Sequence, residues 1–322
     1  MSIFGQKNEN QTNLAKNWAS LKNVKNIHIW IVQIVYNNYM RQINITAIKN
    51  ATVEENLRTL NYSSSLCSRL RKKMGLILVN NLPVKIVDLV KENDIISIVL
   101  EDQEIKHIEK ADIPIKIVYE DEDLAVIDKQ ANLAVINTRR HYGSSLENAL
   151  ANIWGDFVYR PVNRLDRDTS GLMIIAKNQL AHSILNTAHI KRKYIALVEG
   201  KLQGEGDIIA PIDREDDSII KRKISESGKY AETHYKAVKQ FSTYSEVELE
   251  LKTGRTHQIR VHMAHIGHPL LCDGIYNENA KEMILDNGFK LDRQALHSAY
   301  LEFEHPILKK TITLSSKPDF ID

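Results

Sequence analysis

The chain has 322 residues, 43 of them Lys or Arg and 41 Asp or Glu, for a net charge of +2. That length suits two domains, and a hydrophobic content of 43% supplies sizeable cores. The near balance of charge excludes a nucleic-acid binder working through global excess, so such a surface must come from local clusters of Lys and Arg.

Three clusters are visible: Arg69, Arg71, Lys72 and Lys73; Lys191, Arg192 and Lys193; Lys221, Arg222 and Lys223. Each taken singly reads as a solvated face. The two cysteines, Cys67 and Cys272, lie far apart, and no secretory leader is visible; reduced thiols in a cytoplasmic protein are expected. The apolar stretch from Ile27 to Val35 is too short to span a bilayer.

Residues 1–26 are polar and predict a mobile tail. Ile27 to Ile48 reads as strand, with Ile43, Ile45 and Ala47 alternating against polar neighbours. Residues 27–100 form an N-terminal module, whose segment 51–100 is the most structured. Thr52 and Glu55 make a capping box, followed by Val53, Leu57 and Leu60 on one helical face. Ser63 to Ser65 cap a second helix with the stripe Leu66, Leu70 and Met74, ended by Gly75. Arg69, Arg71 and Lys72 fall off that stripe and are expected to be exposed, with Lys73 at its edge. Ile77 to Val84 reads as a hairpin around Asn80-Asn81. Two short helices, a basic face and a Val-Asn hairpin resemble the S4-like RNA-binding domain. That family usually has Val-Asn-Gly; Asn81 replaces the Gly, and Asn tolerates positive φ.

Residues 101–112 are charged and predict a linker, with a second domain over 113–322. Ile115 to Tyr119 and Leu124 to Ile127 flank an acidic turn as a hairpin does. Ser144 and Glu147 are expected to cap a helix with the stripe Leu146, Leu150 and Ile153. Then comes the run Arg160-Pro161-Val162-Asn163-Arg164-Leu165-Asp166-Arg167-Asp168-Thr169-Ser170-Gly171, feeding the apolar strand Leu172 to Ala176. Ions so near a core must be paired or do chemistry. The run resembles the signature of the RluA-type RNA pseudouridine synthases, His-Arg-Leu-Asp-Arg-Asp-Thr-Ser-Gly, departing only at Asn163.

Further on, Val247, Leu249 and Leu251 alternate with Glu246, Glu248 and Glu250 as a half-buried strand. Thr253-Gly254-Arg255-Thr256-His257-Gln258-Ile259-Arg260 follows and resembles the same family throughout. Ile259, Met263 and Ile266 share a helical face that Gly267 ends. Weaker matches lie at Val118 to Lys129, at Lys193 to Gly200, at Gly228 to Thr233 and at Leu296-His297-Ser298 with His305-Pro306. The usual Lys-Pro of the family is Lys129-Gln130 here. Strands in hairpin-like succession predict an α+β fold: a mixed, largely antiparallel sheet in the catalytic domain, with a small S4-like α/β domain before it.

The resemblance implies an isomerase that breaks the N-glycosidic bond of uridine, turns the uracil and joins C5 to the sugar. No redox change or net hydrolysis occurs, so neither cofactor nor metal is expected. Asp166 is then the catalytic carboxylate, attacking the sugar or taking a proton from it. Arg260 keeps it ionised and aimed. Tyr194 stacks on the flipped base. Arg164 and Arg255 meet the RNA or fill the vacated space, and Arg69, Arg71 and Lys72 meet phosphates. Asp168 is structural, paired with Arg167 or capping the turn. Without the resemblance, Asp166 and Arg260 read as an ordinary buried ion pair and Tyr194 as core packing.

His257, His262, His265 and His268, with Asp273 nearby, invite a second reading as a metal-dependent hydrolase, but they lack a His-Glu-x-x-His pattern or a Cys pair. A third reading is a non-catalytic RNA-binding protein that kept the fold. The expected partner is RNA. Ribosomal RNA is favoured over tRNA because S4-like domains accompany many ribosomal-RNA members of the family.

Overall fold

The computed structural model describes residues 40–60, 62, 64–72, 77–101, 107–137 and 143–321. The expected polar tail over 1–26 and the strand-like residues 27–39 lie outside the described residues, as do Ser63, Lys73, Met74 and Gly75. Arg41 to Asp322 form one compact unit.

Its first part holds β1 (Met40–Thr46), β2 (Ala51–Thr52), α1 (Val53–Thr59), α2 (Ser64–Lys72), β3 (Ile77–Val79), β4 (Leu82–Pro83), β5 (Leu89–Val90) and β6 (Ile95–Glu101). A four-stranded sheet runs β1-β6-β3-β4. The capping box opens α1: Glu55 N–H donates to Thr52 Oγ1, and Thr52 N–H donates to the Glu55 carboxylate. The β3–β4 turn sits on Asn80 (φ +48°) and Asn81 (φ +69°). Two consecutive left-handed residues make a hairpin turn of the tight type that asparagine tolerates best after glycine. Val53, Leu57, Leu66, Leu70, Ile96 and Ile98 fill the core of this part.

The second part continues with β7 (Lys116–Glu120), β8 (Leu124–Lys129), α3 (Leu146–Trp154), β9 (Ser170–Ala176), α4 (Gln179–Leu185), β10 (Lys191–Glu199), β11 (Glu205–Ile209), β12 (Ile212–Arg214), β13 (Arg222–Ile224), β14 (Glu232–Gln240), β15 (Tyr244–Leu251), α5 (Gln258–His265), β16 (Met283–Ile284), β17 (Lys290–Leu291), β18 (Leu296–Glu304) and β19 (Thr311–Ser315). The large sheet runs β11-β14-β15-β10-β18-β9-β8-β7, with β19 also on β18. Its neighbours are antiparallel except β18 with β9, which are parallel. The fold is thus the expected mixed, largely antiparallel α+β architecture. Leu180 and Ile184 of α4 join the core of the N-terminal part, so the two parts pack through α4.

Two local expectations are corrected. The cap of α3 is Ser145, not Ser144: Ser145 N–H donates to Asn148 Oδ1 at 3.0 Å, so Asn148 rather than Glu147 closes the turn. Ile153 is 47% exposed and lies off the buried stripe, which is Leu146, Ala149 and Leu150. The helix starts one residue later than the sequence pattern suggests, at Leu146, and its buried side is centred on Ala149 and Leu150.

Candidate active site

The loop between Arg160 and β9 is tied to the sheet at both ends. Ala176 N–H donates to Arg160 O and Val162 N–H to Ile174 O, each at 2.9 Å. Asn163, where the resembling signature has His, accepts Ile174 N–H on Oδ1 at 2.8 Å. Thr169 N–H then turns back to Asp166 O at 3.1 Å. Gly171 (φ +107°) lets β9 lie against β18: a Cβ there would stand 2.3 Å from Ser298 O. Only glycine fits both that conformation and that approach.

Lys129 fixes the loop from beneath. Fully buried, it donates from Nζ to Gln130 O, Leu133 O and Arg167 O at 2.8, 3.0 and 2.9 Å. Burial pulls its pKa down to about 7, with Asp168 opposing. The three carbonyls also oppose it, since they match the three N–H donors of the charged form. Asp168 makes a two-point pair with Arg167, at 2.9 and 3.2 Å.

The loop places Asp166 beside α5. Arg260 Nη1 donates to Asp166 Oδ2 at 2.9 Å, across 94 positions of sequence. Nε and Nη2 of the same guanidinium each donate to Asp273 at 2.7 Å. Asp273 is fully buried and accepts two backbone N–H groups as well, from Ile275 and Tyr276. Burial alone disfavours the Arg260 charge, but the hydrogen bonds to Asp273 outweigh it and hold its pKa above the usual value. The Arg260 guanidinium also lies 5.1 Å from the Tyr276 ring centroid.

Tyr194 lies on β10, across from Leu249 on β15 and Ser298 on β18, with a register shift between Lys193 and Tyr194. It is 5% exposed and borders the same cleft as Asp166. Burial raises the pKa of its phenol, which stays neutral.

The cleft encloses about 640 Å³. Arg164, Arg167, Arg192, Arg222, Arg255 and Arg260 line it, and among the described residues Asp166 is the one lining carboxylate. Low-dielectric walls carrying one sign of charge focus the field on an anionic ligand. Arg164 is exposed there with no hydrogen-bond or ion-pair partner among the described residues, while Arg255 Nε donates to Tyr230 O at 2.9 Å.

The basic patch of α2 departs from expectation. Arg69 is only half-buried rather than exposed, and Arg71 is paired with Glu54 of α1. Packing of α1 against α2 brings that carboxylate across, leaving Lys72 as the exposed cation of the three with no partner among the described residues.

The four histidines do not converge. His262 is buried between Thr233 Oγ1 and Ala210 O, both 2.9 Å away. His268 contacts Glu199 O, His257 contacts Tyr276, and His265 is exposed. Among the described residues the close grouping of ligand-type atoms is Asp121, Asp123 and His305 instead. There His305 Nδ1 accepts two backbone N–H groups, so Nε2–H donates to Asp121 at 2.8 Å. That ring has no lone pair left for a metal.

Asp273, His257, Tyr276 and Lys129 were not marked as functional by their sequence positions, apart from His257 and Asp273 as candidate metal ligands. The available signal was a carboxylate directly after the apolar Leu270-Leu271-Cys272, which repeats the logic that singled out Asp166.

Residues 123–265 match the family described as RNA pseudouridylate synthase. An uncharacterized RNA pseudouridine synthase of Bacillus subtilis (strain 168), YjbO, is 37% identical over 271 residues, covering 81% of this chain and 93% of that protein. Ribosomal large subunit pseudouridine synthase D of Escherichia coli (strain K12) is 37% identical over 249 residues, covering 72% and 76%. The solved structure of human RNA Pseudouridylate Synthase Domain Containing 1 shares the fold, with TM-score 0.54 and 24% identity over 66% of this chain and 86% of that one.

Proposed function

The chain belongs to the RNA pseudouridylate synthase family, and we propose that it converts specific uridines of large-subunit ribosomal RNA to pseudouridine, with Asp166 as the catalytic carboxylate. The observation that carries this is the Asp166–Arg260 pair at the wall of a cleft lined by six arginines. Arg260 occupies Oδ2 of Asp166, and Oδ1 has no hydrogen-bond partner among the described residues. That leaves one carboxylate oxygen to act at the sugar while the N1–C1′ bond breaks and the C5–C1′ bond forms. The reaction balances without an external oxidant or reductant: the proton lost from C5 is matched by one gained at N1.

Tyr194 offers its ring to the flipped base, and its neutral phenol adds no charge to the pocket. Arg164 and Arg255 hold the adjoining strand at the rim. The N-terminal part, with Lys72 and Arg69 on α2, adds contacts to phosphate, and its two short helices and Asn80-Asn81 hairpin support the S4-like reading. A relative named for the ribosomal large subunit aligns over 72% of the chain, which favours ribosomal RNA over tRNA. The unpaired thiols Cys67 and Cys272 suit the cytoplasm, where that RNA is found. Among the described residues, no helix is long and apolar enough to cross a membrane.

Mapping pseudouridine in ribosomal RNA and tRNA from cells with and without the gene tests this directly. Ribosomal sites that vanish with the gene and return with wild type, but not with Asp166→Asn, are expected. Loss confined to tRNA sites would overturn the choice of RNA, and full rescue by Asp166→Asn would overturn the catalytic assignment. In vitro, Asp166→Asn is expected to lower tritium release from uridine tritiated at C5 by at least about a thousandfold.

A further inference from the structure

A second nitrogen faces the Asp166 carboxylate, at a distance longer than a hydrogen bond. Nε2 of His257 lies 3.7 Å from Asp166 Oδ2, the same oxygen that Arg260 engages. Nδ1 on the other side of the ring is 2.7 Å from the Tyr276 hydroxyl. That hydroxyl accepts the backbone N–H of Arg222, on β13, at 2.9 Å. A phenol has one proton to donate. With its oxygen engaged by Arg222 N–H, it donates to Nδ1, and the proton of the neutral imidazole then sits on Nε2, facing Asp166.

The surroundings keep the ring in that place. His257 stands in the left-handed region, φ +57°, immediately before α5. A non-glycine residue persists there when its neighbours over-determine it. Its ring meets Tyr276 edge to face at 5.6 Å, and Asp273 fixes Tyr276 by accepting its N–H. The charged groups that face His257 are Asp166, Arg260, Asp273 and Arg222; burial outweighs the carboxylates and keeps its pKa below the usual value.

We propose that His257 is a positioning residue whose Nε2–H, set by the Tyr276 hydroxyl, joins Arg260 in holding Oδ2 of Asp166, so that Oδ1 alone is presented to the sugar. The relay ends on β13, whose Arg222 side chain lines the cleft, so the strand bordering the RNA carries the donor that sets the imidazole. This rests on the pseudouridine synthase reading of the site.

Two measurements on the full chain test it. Nitrogen NMR of the imidazoles near neutral pH, with His257 assigned by its disappearance in His257→Gln, is expected to show the Nε2–H tautomer. Tyr276→Phe removes the donor to Nδ1 and is expected to mix the tautomers. In kinetics, His257→Gln places an amide N–H where Nε2 stood, whereas His257→Asn places a group beside Tyr276 and none beside Asp166. The Gln variant is expected to keep most of kcat. The Asn variant is expected to lose about tenfold in kcat, because no N–H dipole then faces the Asp166 carboxylate, with KM for RNA unchanged. A wild-type Nδ1–H tautomer, or a kcat for His257→Asn equal to wild type, overturns the proposal. If the variants fail to fold, the wild-type tautomer decides, with the ring assigned through Tyr276→Phe. Wild-type chain inactive on every RNA would instead overturn the functional reading and leave the tautomer result standing.

Discussion

Asp273 grips Arg260 at two points: Nε and Nη2 each donate to it at 2.7 Å, deep inside the protein, and Nη1 is left for Asp166. The guanidinium is planar and rigid, so fixing two of its nitrogens fixes the third. The direction in which Asp166 is pulled is therefore set by a carboxylate that borders no part of the cleft.

Asp273→Asn tests that grip. The substitution keeps the shape and removes the charge that balances a buried arginine. Breaking a buried pair from one side is expected to cost about 3 kcal/mol of folding stability, read by urea denaturation. Activity is expected to fall with it, through kcat rather than KM. Unchanged stability would show that Asp166 alone suffices to balance Arg260.

Gly171 is where the signature run meets β18. Gly171→Ala puts a Cβ 2.3 Å from Ser298 O, against backbone that has no flexible end to swing away. A loss of about 3 kcal/mol or more is expected, since both the conformation and the contact are violated. Thermal unfolding that matches wild type would contradict the close parallel pairing of β9 and β18.

Acid is expected to destabilise the protein through its buried histidines. Burial lowers the pKa values of His257, His262 and His297 in the fold. Below about pH 6.5 the unfolded chain binds protons that the folded chain refuses, so stability falls as pH drops through that value towards the folded pKa values. Above it this contribution is fully present. His262 is the clearest case, because burial disfavours its charge and outweighs the opposing hydrogen bond to Ala210 O. His262→Gln is expected to flatten the fall in urea midpoint between neutral and mildly acidic pH; an unchanged slope would remove His262 from the account.

The basic helix gives a graded expectation. Replacing Arg69 and Lys72 with alanine is expected to lower the salt slope of RNA binding by about two, one for each phosphate contact. Arg71→Ala is expected to change it less, because Arg71 is already paired with Glu54. The rate at saturating RNA is expected to stay near wild type. An Arg71 effect equal to that of Lys72 would show that the Glu54 pair opens on the RNA.

What was legible in the sequence was local. The Thr52–Glu55 capping box, the Asn80-Asn81 turn, the alternation along β15 and the order of the two signature runs all depend on neighbours a few residues apart. Such neighbours meet because backbone geometry brings them together whatever the rest of the chain does. Asp166 and Arg260 were legible because they sit inside those runs, and Tyr194 through the weaker match at Lys193 to Gly200. Side-chain partnerships across long separations were decided by the tertiary structure. Asp166 reaches Arg260 because β9 lies parallel to β18 and places the loop over α5. Asp273 reaches Arg260, and Tyr276 reaches His257, because the chain after α5 folds back beneath the cleft. The same holds for Arg71, whose charge looked free until α1 packed against α2 and supplied Glu54. Composition and spacing carry no record of such meetings, since a charge's partner depends on which surfaces the core brings face to face.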